Sequence, residues 1–155
     1  ADALEEQALA SLHASPRRRT RDTAAPVAAR RALEVRIAPA LDEIDFGAFT
    51  GRDFAVLEGD PEWRRWNAER GSARCPGGET MAEAVDRAWG YLDALPEGAF
   101  PALCVSHCDV IRGVVARVLG LGFERMFSFD CDPASRTVLD WRATGVRLVT
   151  LNARV

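Results

Sequence analysis

At 155 residues, with 48% hydrophobic and 28% charged side chains, the chain has the size and composition of one ordinary globular domain with a core to bury. A formal net charge of −3 excludes the strongly basic balance with which proteins grip nucleic acid or anionic membrane, and no apolar run approaches the roughly 18 residues of a membrane span. All 20 basic residues are arginine, so a cationic site here has to be built from guanidinium groups, which suit bidentate phosphate binding.

In chain order, the opening ADALEEQALA is too acidic and too short to read as a signal peptide, which makes the cytoplasm the expected compartment. A short apolar stretch over Leu9–Ala14 stops at Ser15-Pro16 and is followed by a charged segment, 17–31, of helical composition. Pro26 is expected to start, kink or break that helix. Leu33–Ile37 alternates as a strand does, and the region from 41 to 78 reads as irregular because glycine and proline punctuate it. Thr80 and Glu83 fit a capping box ahead of a helix whose apolar face carries Met81, Val85, Ala88, Trp89, Leu92 and Leu95. After Pro96-Glu-Gly98, Ala102–Ser106 has the length of a buried strand. It runs through His107-Cys108-Asp109 into a helix with Val110, Ile111, Val114, Val115, Val118 and Leu119 at helical spacing, ended by Gly120 and Gly122. Two adjacent strands, about 136–142 and 146–151, close the chain around a turn at 143–145.

No repeat, low-complexity tract or linker interrupts this order, so residues 1–155 are expected to form a single domain. Strands alternating with helices predict an α/β three-layer sandwich. Its sheet should be mixed but mostly parallel, with helices on both faces and an antiparallel edge from the last two strands. The four cysteines, Cys75, Cys104, Cys108 and Cys131, form no CxxC pair, and only two histidines accompany them. They read as small buried hydrophobes rather than disulfide partners or metal ligands.

In such folds ligands bind beyond the carboxyl ends of the strands, where loops run into helix N-termini. Two junctions carry suitable groups. Ser15-Pro-Arg17-Arg18-Arg19-Thr-Arg21 places guanidinium groups after a strand, where free backbone N–H groups also favour an anion. Ser106-His107-Cys108-Asp109 places an imidazole at a second strand end, with Arg112 one turn on. Most of the arginines are expected to be solvated, and a histidine after a buried strand is often structural. At equivalent ends of two strands, however, the pair points to a phosphate pocket. The loop Leu41-Asp42-Glu43-Ile-Asp45-Phe-Gly47 offers carboxyl groups that could protonate a leaving alkoxide. A capping or solvent-facing role suits Asp42 and Asp45 better than Glu43, yet composition does not choose among the three.

Taken together these segments resemble the histidine phosphatase superfamily, the phosphoglycerate mutase-like fold. Ser15-Pro-Arg-Arg-Arg19-Thr-Arg-Asp-Thr23-Ala24 is similar to the family's Ser-Pro-x-x-Arg-x-x-x-Thr-Ala segment. Leu41-Asp-Glu43-Ile-Asp-Phe-Gly47-Ala-Phe-Thr-Gly51 resembles its Leu-x-Glu-x-x-Phe-Gly-x-x-x-Gly loop. Pro76-Gly-Gly-Glu79-Thr80 and Val105-Ser-His107-Cys-Asp-Val-Ile-Arg112 follow in the family's order, so four motifs span residues 15–112. The resemblance implies that Arg19 clamps phosphoryl oxygens, that His107 binds and stabilises the transferring group, and that Glu43 protonates the leaving oxygen and then activates water. It also implies that Ser106 and the Cys108 backbone line the pocket, and that Glu79 and Asp109 are structural. Cys108 stands where the family usually has a small residue, often glycine, which would narrow that wall. No metal or other cofactor is implied.

The departure lies at the start. The family opens with a strand ending in Arg-His-Gly, whose histidine attacks phosphorus; no Arg-His-Gly occurs here, and His13 sits inside a strand where the family often has an aromatic residue. Glu5-Glu6-Gln7-Ala8 resembles the beginning of the family's first helix, yet Ser15 comes only 8 residues after Gln7, against about 18–20 for a helix and a strand. Stretches absent from this sequence explain that spacing better than evolved deletions, so the intact gene product is expected to exceed 16.9 kDa.

The expected activity is hydrolysis of a small phosphorylated metabolite through phosphohistidine, with an α-ribazole-phosphate phosphatase as one specific case. Phosphoglycerate mutase-type transfer is the nearest rival. The 64 positions between Glu43 and His107 (107 − 43) favour the compact phosphatase branch. A complete chain of this sequence would instead be an inactive phosphate-binding or interaction module, in which Phe54, Trp63 and Trp66 could line a partner surface, although a lid packed over the pocket is the more expected role for them. The phosphorylated substrate is the one expected partner; nucleic acid and membrane are not, and a homodimer is compatible with the sequence.

Overall fold

A computed structural model describes residues 8–154; the segment expected to begin the first helix, at 5–7, lies outside them. At its centre are three parallel strands, β1 (Ser11–Ala14), β2 (Val35–Ile37) and β3 (Ala102–Val105), in the order β2-β1-β3. β1 is buried along its whole length, as the middle strand of a covered parallel sheet should be. Its alternate side chains serve two faces. Leu12 and Ala14 pack with Ala24 and Val27 of helix α1 (Arg18–Arg31), while His13 points to the opposite side. There the larger core joins Met81, Ala84, Val85 and Ala88 of helix α4 (Met81–Asp93) to Val110, Val114 and Ala116 of helix α5 (Cys108–Val118). The α/β expectation, with helices on both faces of a parallel sheet, is borne out.

The antiparallel strands β4 (Arg136–Arg142) and β5 (Gly145–Ala153) turn at 143–144 and form a two-stranded sheet of their own rather than an edge hydrogen-bonded to the other three. Trp141 ties them to α4, packing on Trp89 at 4.5 Å between ring centres and donating its indole N–H to Asp93.

Two local readings differ from expectation. Helix α1 runs through Pro26 without a break, and the burial of Ala24 and Val27 on either side supports the turn that lost an N–H. The stretch read as irregular contains helices α2 (Phe54–Leu57) and α3 (Pro61–Ala68), whose N-caps Asp53 and Asp60 accept backbone N–H groups from Ala55 and Glu62. Pro61 at the first helical position completes a start signal that the surrounding glycines obscured. Trp66 of α3 is buried in the core against Phe46, Trp63 and the Arg70 guanidinium, whereas Phe54 is largely exposed. No helix among the described residues is long and apolar enough to cross a membrane.

The glycines of the second and third motifs interlock. A Cβ on Gly47 would lie 2.2 Å from the Pro76 carbonyl oxygen, and one on Gly78 would lie 2.1 Å from that of Asp45. The two loops press backbone to backbone, with Ala48 N–H donating to Pro76 O and Glu79 N–H to Asp45 O, both at 2.8 Å. Gly78→Ala is therefore expected to cost about 3 kcal/mol, read as a lower denaturant midpoint at unchanged slope.

Candidate active site

Parallel pairing sets the site. β1 and β3 run side by side with Ala14 opposite Val105, and Ser15 N–H donates to Val105 O at 3.0 Å. β2 leaves the sheet at the same end, where Ala38 N–H donates to Ala14 O at 2.8 Å. The carboxyl ends of the three strands thus deliver the Ser15–Arg19 turn, the Asp42-Glu43 loop and His107 to one place. Arg17 is the N-cap of α1 and His107 the N-cap of α5. Neither side chain caps its own helix, which leaves both free for contacts across the loops.

Arg19, Glu43 and His107 converge. Arg19 donates to His107 Nδ1 from Nε at 3.2 Å and from Nη2 at 2.7 Å. Glu43 Oε2 lies 3.7 Å both from Arg19 Nη2 and from His107 Nδ1. On the other side of the ring, His107 Nε2 is 2.8 Å from Ser15 Oγ, and Ser15 donates to Asp42 Oδ1 at 3.0 Å. Asp42 also accepts from Arg17 Nε at 2.9 Å and from the Glu43 backbone N–H at 2.8 Å.

The electrostatics follow from this packing. Burial pushes the Glu43 carboxyl up to about 7, helped by the negative charge of Asp109 and opposed by the Ile44 N–H and Arg19. Burial, and then the Arg19 charge, push the His107 imidazole down to about 4, with Asp42 pulling the other way. Near neutral pH the ligand-free pocket therefore holds a carboxyl group poised to give up a proton beside an uncharged imidazole. Burial also works upward on Asp42, but hydrogen bonds from Arg17, the Glu43 N–H and Ser15 outweigh it and keep the carboxylate below its ordinary range.

The pocket loops are braced from outside. Glu79 accepts the Asp45 N–H at 2.9 Å and pairs with Arg87, whose guanidinium also donates to the carbonyls of Ala40, Asp42 and Glu43, each at 2.8 Å. Asp109 pairs with Arg70 at 2.8 Å, and that guanidinium is sandwiched between Trp66 and Phe127. Ser106 turns its hydroxyl to the Leu41 carbonyl at 2.8 Å, tying the β3 end to the carboxylate loop. Cys108 is exposed at the start of α5, and its thiol donates to Cys131 O. All four cysteines are free thiols. His13 is 1% exposed, with one ring nitrogen on Tyr91 Oη at 2.7 Å and the other on Ser11 Oγ at 2.8 Å.

Sequence reasoning missed three residues around the site. For Asp42 the sequence suits a capping or solvent-facing role without choosing among the loop's carboxyl groups, and it assigns no individual role to Ser15 or Arg87. Ser15 and Arg87 reach the pocket through contacts 27 to 92 positions apart in the chain, which no local pattern announces.

The model of the histidine phosphatase superfamily, branch 1, matches residues 1–154. The chain belongs to this family. It is 32% identical over 143 residues to phosphoserine phosphatase 1 of Hydrogenobacter thermophilus, an alignment covering 90% of this chain and 68% of that one. It is 34% identical over 147 residues to a bifunctional protein of Mycobacterium tuberculosis, spanning 92% of this chain but only 40% of the longer relative. Among solved structures, the α-ribazole phosphatase of Shigella flexneri superposes with a TM-score of 0.82 at 26% identity, over 97% of this chain and 76% of that one. The Hydrogenobacter and Shigella relatives support a phosphatase, and solved structures of the same fold hold inorganic phosphate or phosphoserine.

Proposed function

We propose that Arg19, Glu43 and His107 form the phosphoryl pocket of a phosphomonoesterase that works through phosphohistidine on a small phosphorylated metabolite. The observation carrying this reading is the convergence of a guanidinium, an imidazole and a carboxyl group within 4 Å of one another beyond the carboxyl ends of the parallel strands. Arg19 binds two phosphoryl oxygens, His107 donates to a third, and Glu43 protonates the departing alkoxide before activating water for the second step. In this reading Ser106 and the Cys108 backbone line the same pocket, with the Ser106 hydroxyl held by the Leu41 carbonyl. The charge on the transferring group is met by guanidinium and imidazole, so turnover should persist in EDTA.

The attacking histidine belongs in this reading to an Arg-His-Gly strand not present in this sequence. His13 is a poor substitute, since both of its nitrogens are engaged away from the pocket. The alternative reading is a phosphate-binding module without turnover. p-Nitrophenyl phosphate hydrolysis in EDTA, with trapping of an acid-labile phosphoprotein from the full gene product, separates the two; neither turnover nor phosphoprotein would select the binding module. Phosphoserine and α-ribazole phosphate, named for its relatives, head a substrate screen, with phosphoglycerate mutase-type transfer as the rival outcome. A cytoplasmic location and a homodimer belong to the same reading, the latter checked by sedimentation.

A general acid must hold its proton, and the protonated fraction of Glu43 falls as pH rises through about 7. Hydrolysis of esters with poor leaving groups should therefore decline above pH 7. Glu43→Gln should slow those esters about a hundredfold while p-nitrophenyl phosphate, which needs little protonation, loses far less. Equal losses for the two ester types would remove Glu43 from the acid role.

A further inference from the structure

Ser15 and Asp42 reach His107 from the side away from the pocket. Ser15 Oγ receives the Arg17 backbone N–H at 3.3 Å, lies 2.8 Å from His107 Nε2, and is 3.0 Å from Asp42 Oδ1. A serine hydroxyl has one proton to give, and the ionised Asp42 takes it, so the contact with the ring requires Nε2 to be the donor. Nδ1, aimed at Arg19 and Glu43, then carries a lone pair and accepts from the Arg19 guanidinium at 2.7 Å. In that state the ring is closed to an anion, because a phosphoryl oxygen would meet a lone pair and compete with it for Arg19.

We propose that Asp42, acting through Ser15, is a positioning residue that pins the first ring proton of His107 on Nε2, so that phosphoryl binding places a second proton on Nδ1 and converts His107 into a donor facing the anion. The step balances simply. A phosphate dianion enters with one proton from solvent, or a monoanion carries that proton in. The Arg19 N–H groups turn from Nδ1 to phosphoryl oxygens, and no bond between heavy atoms changes.

The groups facing His107 account for the direction. Arg19 and Arg17 from the start of α1 and Arg87 from α4 oppose a charged ring, while Asp42 and Glu43 from the loop after β2 favour one. An arriving dianion adds negative charge and draws Arg19 off the ring, which reverses that balance. Asp42 is then the counterion of the new imidazolium, one hydroxyl away, and His107 is itself almost fully buried. The proposal rests on the pocket reading above but not on turnover, so it can fail separately.

The chain holds only two histidines, His13 and His107, so ring-nitrogen NMR of histidine-labelled protein reads each one. Inorganic phosphate is titrated at pH 6, with occupancy followed by phosphorus NMR. His107 should pass from a neutral ring protonated on Nε2 to a ring protonated on both nitrogens as the site fills. His13, locked between Tyr91 and Ser11, should not change, and its signals report that each variant is folded. In Asp42→Asn, and again in Ser15→Ala, half-occupancy should need about tenfold more phosphate, with the His107 midpoint in the complex lowered by about one pH unit. A neutral His107 with phosphate bound, or variants titrating like the parent, would overturn the proposal while leaving the pocket standing. No phosphate binding by the parent would overturn both.

Discussion

Replacing Arg19 with alanine should lower kcat/KM for a phosphomonoester about a thousandfold in the full gene product and leave the thermal transition almost unmoved. Removing one preorganised donor from a developing oxyanion costs on the order of a hundred- to a thousandfold, and a guanidinium supplies two such donors in a fixed fork. Stability should change little because the Arg19 side chain is 62% exposed and its hydrogen bonds go to a ring that keeps its Ser15 contact. Arg19→Lys should recover only part of the loss, since an ammonium keeps the charge without the fork. A loss of less than tenfold would move the phosphate elsewhere, with Arg17 the next guanidinium in line.

Arg87→Ala should have the largest combined effect on stability and rate. One half-buried guanidinium joins the Glu79 carboxylate to the carbonyls of Ala40, Asp42 and Glu43, the backbone from which the carboxylates of the site project. Its removal strands a partly buried carboxylate and three acceptors, which should cost about 3–5 kcal/mol in a denaturant melt. Loosening that loop also frees Glu43 to drift from its 3.7 Å approaches to Arg19 and His107, so kcat should fall in the protein that remains folded. Arg87→Lys would test the two effects apart, because one charge can meet Glu79 without spanning three carbonyls. An unchanged midpoint in Arg87→Ala would mean that the interlocked glycines hold the loop without it.

Much of the frame was legible because its signals are local. The period of α4 and α5, the capping box at Thr80 and Glu83, and the apolar run of β3 each follow from side chains a few positions apart. That the arginine run and His107 come together was legible for a related reason, since in a parallel sheet such ends are gathered on one side; the choice of Arg19 within the run came from the family motif. Helix α3 was overlooked although Asp60-Pro61-Glu62 announces it, since flanking glycines dominated the reading of the whole stretch. The role of Asp42 stayed open for a different reason. Nothing near it in sequence shows that Ser15 and Arg17 lie within hydrogen-bond reach, for that contact exists only once β1 and β2 pair. The separation of β4 and β5 from the parallel strands is likewise invisible locally, because strand patterns fix alternation and not the pairing partner.

The claim on which the rest depends is that Arg19, Glu43 and His107 surround a phosphoryl group. Calorimetric titration of this chain with inorganic phosphate in EDTA tests it without requiring turnover. One site per chain is expected, with affinity falling at least tenfold in both Arg19→Ala and His107→Ala. Absence of binding, or variants that bind phosphate as the parent does, would contradict it.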